Sequence, residues 1–119
     1  MAGLDMQGPY NFSYSEINKF VTKTSPGNYG LGSSSKDRTA FYVRYVGRSD
    51  SDIKQELKAR LTLRYAEFKF SHSTSARSAF GKECRNYHEF GGSEKLDNKV
   101  HPAQPANADW ECPVCDIFD

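Results

Sequence analysis

"YVRYVGRSD", residues 42–50, decides how this chain is read. Tyr42, Val43, Tyr45 and Val46 are strand formers interleaved with Arg44, and Gly47 stops the run. The stretch predicts a strand over residues 40–47 that ends on Tyr-Val-Gly and enters a cluster of Arg, Ser and Asp. A plain turn accounts for such an ending. So does a site built at the strand's end, where glycine lets backbone and ligand approach closely.

Upstream, "NYGLG" at 28–32 reads as a short strand, and "SSSKDR" at 33–38 as the polar connection of a long hairpin. Downstream, Ile53, Leu57 and Leu61 at four-residue spacing predict a helix from Asp52 to Arg64. "EFKFSHS" at 67–73 alternates and reads as a third strand, and residues 75–88 read as a second main helix. Near the N-terminus, "SYSE" at 13–16 has the capping-box pattern, with Ser13 as the cap and Glu16 reaching back. Ile17, Phe20 and Val21 continue it as a short amphipathic helix, which "SPG" at 25–27 ends. Beyond residue 89 the chain reads as irregular, and it has no internal repeats. The order helix, strand, strand, helix, strand, helix, tail predicts an α+β domain with a small, three-stranded, mostly antiparallel sheet flanked by helices. Residues 1–26 form a helical extension in this reading, 27–98 the core, and 99–119 the tail.

A chain of 119 residues fits one domain. Its mean hydropathy is -0.74. No apolar run approaches the roughly 18 residues that span a bilayer. "MAGLDMQGPY" lacks the basic-then-apolar pattern of a secretory signal, and three cysteines are unlike a disulfide framework. The expectation is an intracellular (cytoplasmic) protein without a membrane partner. The net charge of +1 hides an asymmetry. Residues 36–85 hold twelve Lys and Arg against six Asp and Glu, whereas residues 86–119 hold two against seven. A basic middle suits a polyanion on one face, and it equally suits solvated helix faces.

Two groups of residues carry chemistry. With Ala76 at 0° on a helical wheel, Phe80 falls at about 40°, Tyr87 at about 20° and Glu83 at about 340°. A carboxylate in the middle of that apolar stripe must be paired, protonated or bound to a cation. Arg60 borders the apolar face of its own helix in the same construction, and Glu56 lies further out. The second group is "CPVC" at 112–115 with "CRNYH" at 84–88. Four-residue spacing on a helix puts Cys84 and His88 on one side. Cys84, His88, Cys112 and Cys115 would close a tetrahedral structural zinc (Zn2+) site that pins the tail, with His101 as the rival to His88. A redox C-x-x-C sits where a strand enters a helix, a context this tail lacks.

"GNY" at 27–29 begins the first of the paired strands, and "YVG" at 45–47 ends the second. A helix carrying Arg and then a helix carrying Glu follow them. This ordered set resembles the GIY-YIG nuclease family over residues 27–98. "AFGKECRNYHEFGG" at 79–92 and "CPVCDIFD" at 112–119 are similar to stretches of a subgroup of small proteins in it. The resemblance implies a DNA endonuclease that hydrolyses phosphodiester bonds with one catalytic Mg2+ or Mn2+. It places one of Tyr29 and Tyr45 as proton acceptor and the other as positioner, in either order, and Glu83 as the metal ligand. Asn98 arranges the site, and Arg60 stabilises the transition state, with Arg48 as the other candidate. His72 is a further candidate base. The competing expectation is a catalytically weak module that keeps the fold and binds nucleic acid.

Overall fold

The computed structural model describes residues 3–105 and 107–118. Four strands form one antiparallel sheet: β1 (Gln7–Asn11), β2 (Gly27–Ser34), β3 (Phe41–Ser49) and β4 (Glu67–His72), in the order β1-β4-β2-β3. The helices are α1 (Tyr14–Phe20), α2 (Ile53–Ala59), α3 (Ala76–Glu89) and the single turn α4 (Gly92–Lys95). The α+β class and the antiparallel sheet are as expected, but the sheet has four strands rather than three.

The added strand is β1, so the N-terminal segment is not purely a helical extension. It carries Gly8 and Pro9, which read as breakers. They are tolerated because β1 is an edge strand whose pairing to β4 slips between Gln7 and Tyr10. The helix expected to run to Arg64 stops at Ala59. Arg60 caps it, Leu61–Leu63 continue as a tight 3-10 turn, and Arg64 leaves in the left-handed region at φ 61°. Both main helices start one residue later than expected, on a cap formed by the residue read as their first. Asp52 accepts from the amides of Lys54 and Gln55, and Ser75 accepts from Ser78. At α1, Ser13 Oγ accepts from the Glu16 amide at 3.3 Å.

Alternation along the strands gives the sheet two apolar faces. Tyr29, Leu31, Phe68 and Phe70 point to one side and bury against Ile17 and Val21 of the α1 region and Ile53 and Leu57 of α2. Val46 points to the other side and packs with Leu4, Tyr87 and Leu96. The rings of Phe68 and Phe70 are fully enclosed, and each such burial contributes about 1.5–3 kcal/mol. The tail docks on the outer side of α3 through Trp110, Cys112 and Phe118 against Phe80 and Cys84. No helix among the described residues is long and apolar enough to cross a membrane.

Because β3 is an edge strand, its outer N–H and C=O groups need partners. The segment after α4 supplies them. The Asp97 amide donates to Arg44 O at 2.6 Å. Asn98 Oδ1 accepts from Val46 N at 2.9 Å, while its Nδ2 donates to Val46 O at 2.8 Å. This pairing carries residues 98–103 along the end of β3.

Candidate active site and metal centre

A cavity of about 360 Å³ opens at that edge, where side chains from both faces of the sheet converge. Tyr29 of β2, Tyr45, Gly47 and Arg48 of β3, Glu56 and Arg60 at α2, Glu83 of α3 and Asn98 line it. Asp50 and residues 100–103 complete the wall. Six of the seven side chains singled out for catalysis from the sequence, all but His72, thus face one cavity.

The opening triplets have a local reason for their composition. Tyr29 and Gly47 are directly opposed across β2 and β3. The Tyr29 ring lies flat over Gly47, so a Cβ added at 47 would land on the ring's Cζ and hydroxyl. Gly47 is therefore needed for the phenol to cross its partner strand and reach α2. Gly47→Ala should cost about 1–3 kcal/mol in urea unfolding, because the ring is buried and has nowhere to retreat. Gly81→Ala is the control. Its Cβ would meet nothing nearer than Arg85 Nη1 at 3.7 Å, and it should be neutral or stabilising.

On one side of the cavity, Glu56 Oε2 accepts from the Tyr29 hydroxyl and from Arg60 Nε, each at 2.9 Å. Burial, reinforced by the Glu56 charge, pushes the Tyr29 phenol far up, so it stays protonated and donates. Arg60 is held charged mainly by its hydrogen bond to Glu56. Its guanidinium otherwise faces solvent and the cavity, and its side chain is 43% exposed. The Tyr45 ring stacks 6.3 Å from that of Tyr29.

On the other side, Arg48 has an acceptor for each nitrogen of its guanidinium. It donates to Glu83 Oε1 at 2.6 Å, Asp50 Oδ1 at 2.8 Å and the Ala103 carbonyl at 2.7 Å. Its guanidinium also lies 5.0 Å over the Phe80 ring. The buried Glu83 of the helical wheel therefore has a cationic partner. Burial raises its carboxyl, and Arg48 works against that rise. Burial likewise opposes the Arg48 charge, but the hydrogen bonds to Asp50 and Glu83 win and raise it. The second Glu83 oxygen has no hydrogen bond among the described residues.

Asn98 spends both amide atoms on Val46, which makes it a brace for the edge. His72 does not line the cavity; its Nδ1 lies 2.7 Å from Ser25 Oγ. Sequence reasoning missed Glu56, Asp50 and His101 as lining residues. The four-residue Glu56–Arg60 spacing was the visible signal for the first.

A second cluster adjoins the same wall. One donor atom each from His88, His101, Cys112 and Cys115 lies within 4.8 Å of all the others, and the set could hold a metal ion. His88 Nε2 and His101 Nε2 are 3.2 Å apart, and Cys115 Sγ is 3.4 Å from His101 Nε2. A tetrahedral ion with bonds of about 2.0–2.3 Å separates its donors by roughly 3.3–3.8 Å. His101 Nδ1 donates to Pro102 O at 2.8 Å, which leaves Nε2 with the lone pair. Burial works against a Cys112 thiolate, but the Val114 and Cys115 amides and His101 overcome it and bring the thiol to about 6.

His101 therefore joins His88 rather than competing with it, and Cys84 lies outside the set. Cys84 shares a side of α3 with His88, but its thiol turns into the Phe80 contact and is pushed up by burial and by Cys112. No family model, curated protein or solved structure matches the chain.

Proposed function

We infer that the chain is a divalent-metal-dependent endonuclease of GIY-YIG type, hydrolysing phosphodiester bonds in DNA. The observation that carries this reading is the convergence of Tyr29, Tyr45, Arg48, Arg60, Glu83 and Asn98 on one cavity. Glu83 suits a hard cation, since one carboxylate oxygen is uncommitted in a cavity of oxygen donors. A bound Mg2+ or Mn2+ there would supply positive charge to the scissile phosphate and to the leaving oxygen, which takes the electron pair of the broken P–O bond and then a proton from solvent.

The residues of the chain supply the rest. Tyr29 holds the attacking water by its oxygen lone pair. As the water gives its proton to that oxygen, the phenolic proton passes to Glu56 over the existing 2.9 Å hydrogen bond. Tyr29 is thus a relay, and Glu56 the final acceptor. Tyr45 packs beside it and orients the phosphate. Arg60 keeps both Nη groups for the charge that builds on the phosphoryl oxygens, whereas all three Arg48 nitrogens are already tied to Glu83, Asp50 and Ala103. Arg48 then positions Glu83. A structural zinc on His88, His101, Cys112 and Cys115 would hold the wall formed by residues 98–103.

Incubation with plasmid and single-stranded DNA in Mg2+ or Mn2+ tests the reading. Nicking is expected, and Arg60→Ala should slow it about 100-fold or more with little change in DNA affinity. Equal losses in rate and affinity would make Arg60 a plain phosphate contact. DNA left intact under every metal would instead favour a binding module. The Arg48–Glu83 pair speaks for that alternative, because it neutralises the carboxylate internally.

A further inference from the structure

Phe80 separates the candidate active site from a second cavity of about 390 Å³, which the catalytic reading does not use. Arg48 lies over the Phe80 ring at 5.0 Å, and the Trp110 ring packs 5.9 Å from it. The two cavities are therefore neighbours across one aromatic ring. The second is bounded by Trp110 on the tail side and by the start of α3 on the other.

Its polar lining is cationic at the helix. Arg77 and Arg85 are exposed, and neither forms an ion pair among the described residues. They stand eight residues apart on α3, a rise of about 12 Å, with Gly81 midway on nearly the same side. Gly81 puts no side chain between them, and the Arg85 guanidinium lies over it, with Nη1 3.7 Å from where a Cβ would stand. Glu111 stands at the rim. An indole facing a gap between two uncommitted guanidinium groups has the composition that single-stranded nucleic acid binding requires. The aromatic face takes a base, and the cations take the phosphates that flank it.

We propose that this cleft is a subsite for one unpaired nucleotide next to the scissile phosphate, with its base on Trp110 and its backbone along Arg77 and Arg85. The proposal rests on the nucleic-acid reading of the neighbouring cavity. It adds a substrate class: DNA that is single-stranded, or frayed, on one side of the cut. A base paired within a duplex has both faces stacked and cannot use the indole.

Trp110 is the only tryptophan in the chain, so emission excited selectively beyond the absorption of the seven tyrosines reports this residue. The wild-type protein is titrated with a short oligothymidylate without added Mg2+ or Mn2+, and in parallel with a blunt duplex. Oligothymidylate should quench the emission in a salt-dependent way, and the duplex should quench it far less. Arg77→Ala and Arg85→Ala, both at exposed positions, should each weaken the single-strand titration several-fold. Single-strand binding that leaves Trp110 emission unchanged overturns the subsite. So does quenching that both arginine variants retain in full, or the absence of any binding. Quenching without cleavage in Mg2+ would retire the nuclease reading and keep the subsite. Cleavage of DNA with unchanged Trp110 emission would do the reverse.

Discussion

Glu83→Gln should abolish DNA cleavage, by about a thousandfold or more, while the protein stays folded. The loss is large because the variant removes the most buried of the carboxylates among the described residues that line the cavity, one with an uncommitted oxygen. A factor of a thousand is about 4 kcal/mol of transition-state stabilisation, within what one catalytic metal supplies. Gln is the informative substitution here. Its amide oxygen still accepts from Arg48, so the expected stability loss is about 1–3 kcal/mol. Glu83→Ala would leave the Arg48 guanidinium buried without that partner, at about 3–5 kcal/mol, and would confuse unfolding with lost chemistry. The comparison is single-turnover nicking at 25 °C, with urea unfolding of both proteins alongside. Wild-type nicking by a folded Glu83→Gln protein would reduce Glu83 to the counter-ion of Arg48.

Much of this site was legible because it rests on strong local signals. Tyr29, Tyr45 and Glu83 sit on elements whose periodicity is clear, and each element forms where expected. Sequence spacing is silent on the direction a side chain takes after leaving its element, and the differences arise there. On a helical wheel Glu56 lies away from the apolar face. It reaches the cavity because the Tyr29 ring crosses Gly47 to meet it. Cys84 and His88 share a helix side by spacing, yet one turns into the apolar contact with Phe80 and the other toward His101. The strand β1 was hidden for a different reason. Gly8 and Pro9 are poor strand residues in isolation, and only pairing with β4 at an edge makes them acceptable. Leu61 extended the apparent helix because a 3-10 residue next to a helix end can still turn its side chain to the same core.

Loss of the four-donor cluster should be the other large effect, and it should reach both stability and activity. The proposed zinc ion would join α3, through His88, to the tail, through Cys112 and Cys115, and to residue 101 of the cavity wall. The tail otherwise holds on by Trp110, Cys112 and Phe118 against Phe80 and Cys84, a small contact. Elemental analysis should find one zinc per chain after purification. Cys112→Ser should lose it and lower the melting temperature by about 10 °C or more, since each kcal/mol is worth roughly 4–8 °C in a domain near this size. His101→Ala should also lose the ion. It should slow cleavage more than Cys112→Ser does, because residue 101 stands in the cavity wall, two residues before the Ala103 carbonyl that holds Arg48. Cys84→Ser is the discriminating control. Cys84 lies outside the donor set, so the variant should keep its zinc and lose only the packing of a buried thiol. The two metals should separate by chelation as well. Brief EDTA treatment should stop cleavage reversibly with Mg2+, because a cation held by oxygen ligands exchanges readily, while thiolate-bound zinc stays in place. Zinc lost from Cys84→Ser and Cys112→Ser but retained by His101→Ala would move the site back to Cys84, His88, Cys112 and Cys115. A wild-type protein that purifies and melts cooperatively without zinc would leave the cluster as two histidines packed against a pair of thiols.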